Sequence, residues 1–188
     1  LGFSNMTIML IGQIAANLFL ILFVKKWGRA MDAYGNKAVL CVAAFMTSFV
    51  PLISAVPGQG ALIYLLLGNC LSGATYCAID LSAQNLFMGQ AREENKSMYF
   101  AVYFLFTQLF GLALGSTCGG YLLDNVFAPL EALNWTVCGA PMSRYNYLLL
   151  FSFVLRISTV FFLLTRVREP EGQPVSTLAR RIVTAAPH

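Results

Sequence analysis

The first 37 residues join an uncharged apolar run to a basic segment. Residues 1–24 read LGFSNMTIMLIGQIAANLFLILFV, and residues 25–37 read KKWGRAMDAYGNK, with four basic side chains. Further apolar runs, separated by polar segments, cover residues 38–56, 61–88, 98–123 and 147–165. Each run is close to or above the roughly 20 residues that a helix needs to cross ~30 Å of hydrocarbon. The pattern predicts an all-α polytopic membrane helix bundle with five transmembrane helices.

The composition excludes an ordinary soluble domain. Hydrophobic residues make up 58% of the chain and charged residues 11%, and the mean hydropathy is +0.69. Soluble domains carry about 25% charged residues. The net charge of +4 comes from basic residues beside the apolar runs, which form no basic stripe. We therefore expect the lipid bilayer as a partner and no nucleic acid.

The positive-inside rule orients the chain in the membrane. Ten of the twelve Lys and Arg residues lie in three polar segments, at residues 25–37, 92–96 and 166–181. We expect these segments in the cytoplasm, the N-terminus outside and the C-terminus inside, in a plasma membrane or a bacterial inner membrane. Residues 1–168 form the predicted bundle, and 169–188 form a predicted flexible cytoplasmic tail. Because the chain starts with Leu1 and lacks an initiator Met, we expect a fragment.

The segment GRAMDAYGNK, residues 28–37, lies between the first two predicted helices. Its glycines permit a tight reversal, and its basic residues hold it near the lipid headgroups. The segment resembles the loop signature G-x-x-x-D-x-x-G-[RKN]-[RK] of major facilitator superfamily transporters. REENKS at 92–97 and RVREP at 166–170 are also similar to segments of that family. Together these motifs align the chain with helices eight to twelve, in the C-terminal half of a twelve-helix transporter.

The resemblance implies a secondary active transporter that moves a small solute by alternating access, coupled to protons or another ion. It also implies a partner, the missing N-terminal half of the same protein, without which this fragment is inactive. In that family the loop acts as a conformational latch, which implies a gating loop here made of Gly28, Arg29, Asp32, Gly35 and Lys37.

The latch assignment has an open alternative and one departure from the family pattern. Ala33 stands where many members carry a basic residue. Asp32 could instead form an ordinary surface ion pair with Arg29 or Lys37, which contributes only about 0 to 1 kcal/mol. The resemblance also implies that Glu93 and Glu94 shape the helix end that meets the missing half.

Polar side chains inside the apolar runs are the candidate substrate-binding residues, because such residues usually face a bundle interior or a water-filled cavity. On the third run, four polar residues share one face, because they fall within about 80° of one another around the helix axis at 100° per residue. They are Asn69, Tyr76, Asp80 and Gln84. The alternative is hydrogen bonding between helices, which averages only about 0.6 kcal/mol per pair in one membrane protein. The substrate-binding candidates are Gln13, Asn17, Asn69, Tyr76, Gln84, Tyr103 and Gln108.

Two charged residues inside the runs are predicted to act as a gate or a structural salt bridge. Asp80 lies toward the cytoplasmic end of its helix, where pairing with Arg29 or Lys37 competes with a role in proton coupling. Arg156 lies near the middle of the last run and needs water, a carboxylate or carbonyls around it. Asp80 could pair with Arg156 only if helix tilt removes their difference in depth.

The chain offers little for catalysis, so we expect that it is not an enzyme and needs no cofactor or metal. His188 is the only histidine, and no glycine-rich phosphate loop is present. The alternative to a transporter is a non-transporting membrane scaffold or receptor with the same helices. A polar, water-accessible stripe on the first, third and fourth helices would favour transport, and a dry packed interface would favour the scaffold.

Overall fold

The fold is an all-α polytopic bundle, as the sequence predicts. A computed structural model describes residues 5–56, 61–89, 93–131, 135–137 and 140–166. Five of its helices are long and apolar enough to cross a membrane. They are α1 (Asn5–Tyr34), α2 (Asn36–Ser54), α3 (Ala61–Met88), α4 (Lys96–Glu131) and α5 (Arg144–Arg166). The protein is therefore membrane-embedded.

Short elements connect the helices at two places in the described ranges. A 3-10 turn, Glu93–Asn95, leads into α4. Strands β1 (Thr136–Val137) and β2 (Ala140–Pro141) pair antiparallel between α4 and α5. Residues 57–60, between the second and third apolar runs, and the predicted tail at 169–188 lie outside the described residues.

The prediction of a loop between the first two helices is wrong, because α1 continues as a helix to Tyr34. Only Gly35 separates α1 from α2, with φ 87° and ψ 159°. This conformation is essentially restricted to glycine. Lysine, arginine, alanine and methionine are good helix formers, so the basic residues mark the end of the membrane crossing without ending the helix. Residues 28–37 are therefore the last turns of α1 joined through Gly35 to the first turn of α2.

The segment between the fourth and fifth helices is shorter than the gap between the apolar runs 98–123 and 147–165, because α4 extends to Glu131 and α5 begins at Arg144. Helix α4 is not uniform. Thr107–Leu114 and Leu123–Phe127 are π-helical, and the remainder is α-helical. Such segments are rare within α-helices and are frequent at functional sites.

The buried core lies where α1, α2 and α3 meet. Val39 and Ala43 of α2 are fully buried against Ala78 of α3 and Met31 of α1. The Trp27 indole donates a hydrogen bond from Nε1 to the Ala74 carbonyl at 2.6 Å, which joins α1 to α3. These contacts fix the end of the bundle that carries the connection between α1 and α2.

Helices α1 and α3 cross at very short range because small residues meet there. A Cβ on Gly73 would lie 2.6 Å from the Ala16 carbonyl carbon and closer still to its oxygen. A Cβ on Gly12 would lie 2.9 Å from the Asn69 Nδ2. Small residues allow such close backbone approach in membrane helices, where dispersion and hydrogen bonds replace the hydrophobic effect.

Helix α4 touches the bundle near its two ends. At its start, Tyr99 and Tyr103 pack on Phe87 of α3, with ring centroids 5.9 and 5.5 Å apart. Near its end, Phe127 packs on Phe151 of α5, and Asp124 pairs with Arg144 at 3.2 Å. No residue between 96 and 126 is buried, so most of α4 lies uncovered beside the other helices.

Helix α5 packs on the other side of α2. The Phe153 ring lies against Phe49, with centroids 5.8 Å apart. The Asn146 amide donates to the Ala55 carbonyl at 2.6 Å, just after the end of α2. Helix α3 therefore lies between α1 and α2, and α2 separates α3 from most of α5.

Candidate functional site

Most of the predicted substrate-binding side chains lie on the surface of the bundle at membrane depth. Lipid tails offer these side chains no hydrogen bonds, so a water-filled space or further protein must cover them. Tyr76 is 57% exposed. The exposed members of the set are Gln13 and Asn17 on α1, Tyr76 on α3 and Gln108 on α4, together with the neighbouring Asp80 and Thr107.

Tyr76, Asp80 and Tyr103 come together between α3 and α4. Tyr103 is half-buried, and its hydroxyl lies within hydrogen-bonding reach of the Asp80 carboxylate. Tyr76, one turn earlier on α3, is within electrostatic reach of the same hydroxyl. The ring contact between Tyr103 and Phe87 holds Tyr103 in place. The start of α4 therefore places the Tyr103 phenol beside the Asp80 carboxylate of α3.

Two predicted residues lie apart from this exposed set. The Asn69 amide donates to the Leu65 carbonyl at 2.9 Å and lies against Gly12 at the crossing of α1 and α3. Gln84 is half-buried. Asn69 therefore packs at the crossing of α1 and α3, and its hydrogen bond stays within α3 rather than joining the two helices.

Asp80 is on α3 and Arg156 is on α5, two helices that α2 separates over most of their length. Asp80 is eight residues before the end of α3 at Met88, about 12 Å from that end. Arg156 is ten residues before the end of α5 at Arg166, about 15 Å from that end.

Arg156 is exposed and lies within electrostatic reach of the Tyr76 phenol. Within the described ranges, no ion pair joins Arg156 to Asp80, or Asp80 to Arg29. A charge in mid-membrane costs at least ~2.5 kcal/mol on insertion scales. The guanidinium therefore needs an anionic or polar neighbour beyond the protein contacts seen here.

The predicted gating residues follow the junction of α1 and α2. Gly28, Arg29 and Asp32 lie on the last turns of α1, and the Arg29 and Asp32 side chains are exposed. Gly35 makes the turn, and Lys37 lies half-buried in the first turn of α2. Exposed charges on a fixed helix end suit contact with another protein part.

Two residues that the sequence patterns did not single out tie this junction to α3. One is Trp27, through its hydrogen bond to the Ala74 carbonyl. The other is Asn85, whose amide donates to the Asn36 Oδ1 at 3.0 Å. A tryptophan or asparagine at a helix end has many roles, so no sequence signal distinguishes these two.

The remaining predicted gate residues lie before α4. Glu94 is exposed in the 3-10 turn that opens this helix. Glu93 lies in the same turn, and its side chain is outside the described part of the structure. In the described residues, no group of three or more His, Cys, Asp or Glu side chains could hold a metal ion.

Comparison of the chain with protein-family models, curated proteins and solved structures finds no match. The functional assignment therefore rests on the chain's own residues. The strongest of these are the exposed polar side chains on α1, α3 and α4 and the helical junction at 28–37.

Proposed function

We propose that this chain is part of a secondary active transporter of the major facilitator type, corresponding to helices eight to twelve. It moves a small solute by alternating access, together with an N-terminal half that completes the bundle. The junction of α1 and α2 and the start of α4 face the cytoplasm, and the membrane is a plasma membrane or a bacterial inner membrane. The basic residues at this end of the bundle support that orientation.

The observation that carries the proposal is the set of exposed polar side chains on α1, α3 and α4. Asn17, Asp80 and Gln108 come from three helices and lie on uncovered surface. In the complete membrane protein, these side chains would cost free energy if they faced lipid, whereas a water-filled solute path would hydrate them. Sites near the midplane between two helix bundles are typical of secondary transporters.

A second observation supports a missing bundle. Most of α4 and much of α1 lie uncovered, whereas α2 and α3 share a packed core. The uncovered surface of α1 and α4 mixes polar groups with apolar ones, including Ile14 and Leu109. A protein partner that spans the membrane would suit such a surface better than lipid alone.

The proposal is tested by uptake in proteoliposomes that contain the full protein, this chain joined to its N-terminal half. A panel of labelled sugars, amino acids and organic cations is measured with and without a proton or sodium gradient. We expect saturable uptake of at least one solute, lost in the Asn17→Ala/Gln108→Ala double variant. A folded protein that moves none of them, even by exchange, would favour the scaffold or receptor alternative.

The latch is tested separately with Asp32→Asn in the same full protein. We expect slower uptake with normal membrane insertion, because the neutral side chain can no longer attract a neighbouring helix N-terminus. The matched control is Asp124→Asn, which removes a carboxylate that pairs with Arg144 at the opposite end of the bundle. Unchanged uptake by Asp32→Asn would refute the latch.

A further inference from the structure

The Asp80 carboxylate is exposed within the membrane-spanning part of α3. The Tyr103 hydroxyl of α4 lies within hydrogen-bonding reach of it. A hydroxyl donates to only one of the two carboxylate oxygens and leaves the negative charge in place. Ionised groups inside a membrane face a water-filled cavity or pair with an opposite charge. The second oxygen of Asp80 is therefore open to a cationic partner.

Aromatic side chains lie beside this carboxylate on both helices. Tyr76 is one turn before Asp80 on α3, so the two side chains are neighbours on the helix surface, and both are exposed. On α4, the rings of Tyr99 and Tyr103 pack on Phe87 of α3, with centroids 5.9 and 5.5 Å apart. These ring contacts hold the start of α4 against α3. Because the face of an aromatic ring attracts cations, the surface around Asp80 combines a negative charge with an exposed ring.

The backbone around Asp80 favours an organic cation over sodium. Helix α3 is α-helical without interruption from Ala61 to Met88, so the carbonyls near Asp80 accept hydrogen bonds within the helix. Sodium sites in secondary transporters use carbonyls of unwound helices. A carboxylate beside aromatic rings instead suits an ammonium group that is attached to an apolar body.

We propose that Asp80 and Tyr76 form the recognition site for an organic ammonium ion, so that the solute of the proposed transporter is a cation. Asp80 supplies the opposite charge, and the exposed Tyr76 ring contacts the groups around the nitrogen. Tyr103 occupies one carboxylate oxygen and leaves the other to the ligand. This inference rests on the proposed transport function and specifies its substrate class.

The test uses the full protein in detergent and two pairs of ligands that differ in charge but little in shape. Choline is compared with dimethylbutanol, its neutral carbon isostere, and phenethylamine with phenethyl alcohol. Binding is measured by calorimetry in sodium chloride and in potassium chloride of equal concentration. We expect at least one cation to bind about tenfold or more tightly than its neutral partner, equally in both salts.

Three results of this comparison would overturn the proposal. They are equal binding of each cation and its neutral partner, binding of neither cation, and displacement of the bound cation by sodium but not by potassium. Because the comparison uses the unmodified protein, it does not depend on the folding of variants.

Variants assign the two groups. Asp80→Asn should weaken the cation about tenfold or more and leave the neutral partner unchanged. Tyr76→Leu should weaken the cation about two- to fivefold, whereas Tyr76→Phe keeps the ring and should bind like the parent. The matched controls are Asp124→Asn, whose carboxylate pairs with Arg144, and Tyr121→Leu, an exposed tyrosine elsewhere on α4. Both controls should bind the cation like the parent.

Binding and uptake are measured separately, so this inference and the transport proposal can fail independently. If the full protein transports anionic or uncharged solutes and binds neither cation, the inference is wrong while the transport proposal stands. If Asp80→Asn binds the cation like the parent, the carboxylate has a structural role and the inference is wrong. Cation binding by a protein that moves no solute would support the site and refute transport, as in the receptor alternative.

Discussion

At the scale of single residues, the bundle depends on side chains that are small or that carry one well-placed hydrogen bond. Gly73 permits contact with the Ala16 backbone, and Trp27 links α1 to the Ala74 carbonyl. Both interactions join α1 to α3, the pair that carries polar residues of the candidate site. Because packing and hydrogen bonds hold membrane helices together, these positions should be sensitive to small changes.

Gly73→Ala should lower the free energy of unfolding by about 1 to 3 kcal/mol or more, because the new methyl group would overlap the Ala16 backbone. Unfolding is measured by titration with a denaturing detergent. The control is Gly119→Ala on α4, where a Cβ would meet nothing within 4 Å. Equal stability of the two variants would mean that α1 and α3 do not cross as described.

Trp27→Phe should lower the free energy of unfolding by about 0.5 to 1.5 kcal/mol, because it removes the indole donor and leaves the ring largely in place. The control is Trp135→Phe, since the Trp135 side chain is 62% exposed. Each variant leaves one of the two tryptophans of this chain, and unfolding is measured by the same titration with a denaturing detergent. A larger loss from Trp135→Phe would contradict the structure.

At the scale of helices, the sequence predicts that a helix is present more reliably than it predicts where that helix ends. The third run and α3 coincide at residues 61–88, because glycines bound that run on both sides. The first run does not coincide with α1, because residues 25–34 are charged yet favour helix. Hydropathy reports where lipid ends, and backbone preference decides where the helix ends.

Gly35→Ala should lower the free energy of unfolding by about 1 to 3 kcal/mol, because alanine is strained at φ 87° and ψ 159°. The detergent titration used for Gly73 also serves here. Gly28→Ala is the control, since Gly28 is within α1 and has open space around it. A Gly35→Ala protein as stable as the parent would show that the helices are joined by a longer loop.

At the scale of the whole molecule, the sequence predicts which helices carry polar groups but not how each group is used. Asn17 and Gln108 lie exposed, whereas Asn69, from the same predicted set, packs at the crossing of α1 and α3. The difference arises from Gly12 and Gly73, whose positions matter only once the two helices are paired. Likewise, the exposure of Tyr76 and Arg156 follows from the arrangement of α3 and α5 beside α2, which no local pattern encodes.

The central claim is that polar faces of α1 and α4 line a water-filled path, and cysteine labelling tests it most directly. Asn17→Cys and Gln108→Cys are made in the full protein with its native cysteines replaced by alanine. Each is compared with its apolar neighbour, Leu18→Cys or Leu109→Cys, which is also exposed in this structure. Proteoliposomes are treated with a membrane-impermeant maleimide. The account predicts labelling at 17 and 108 and little at 18 and 109, whereas equal labelling within each pair, or none at all, would contradict it.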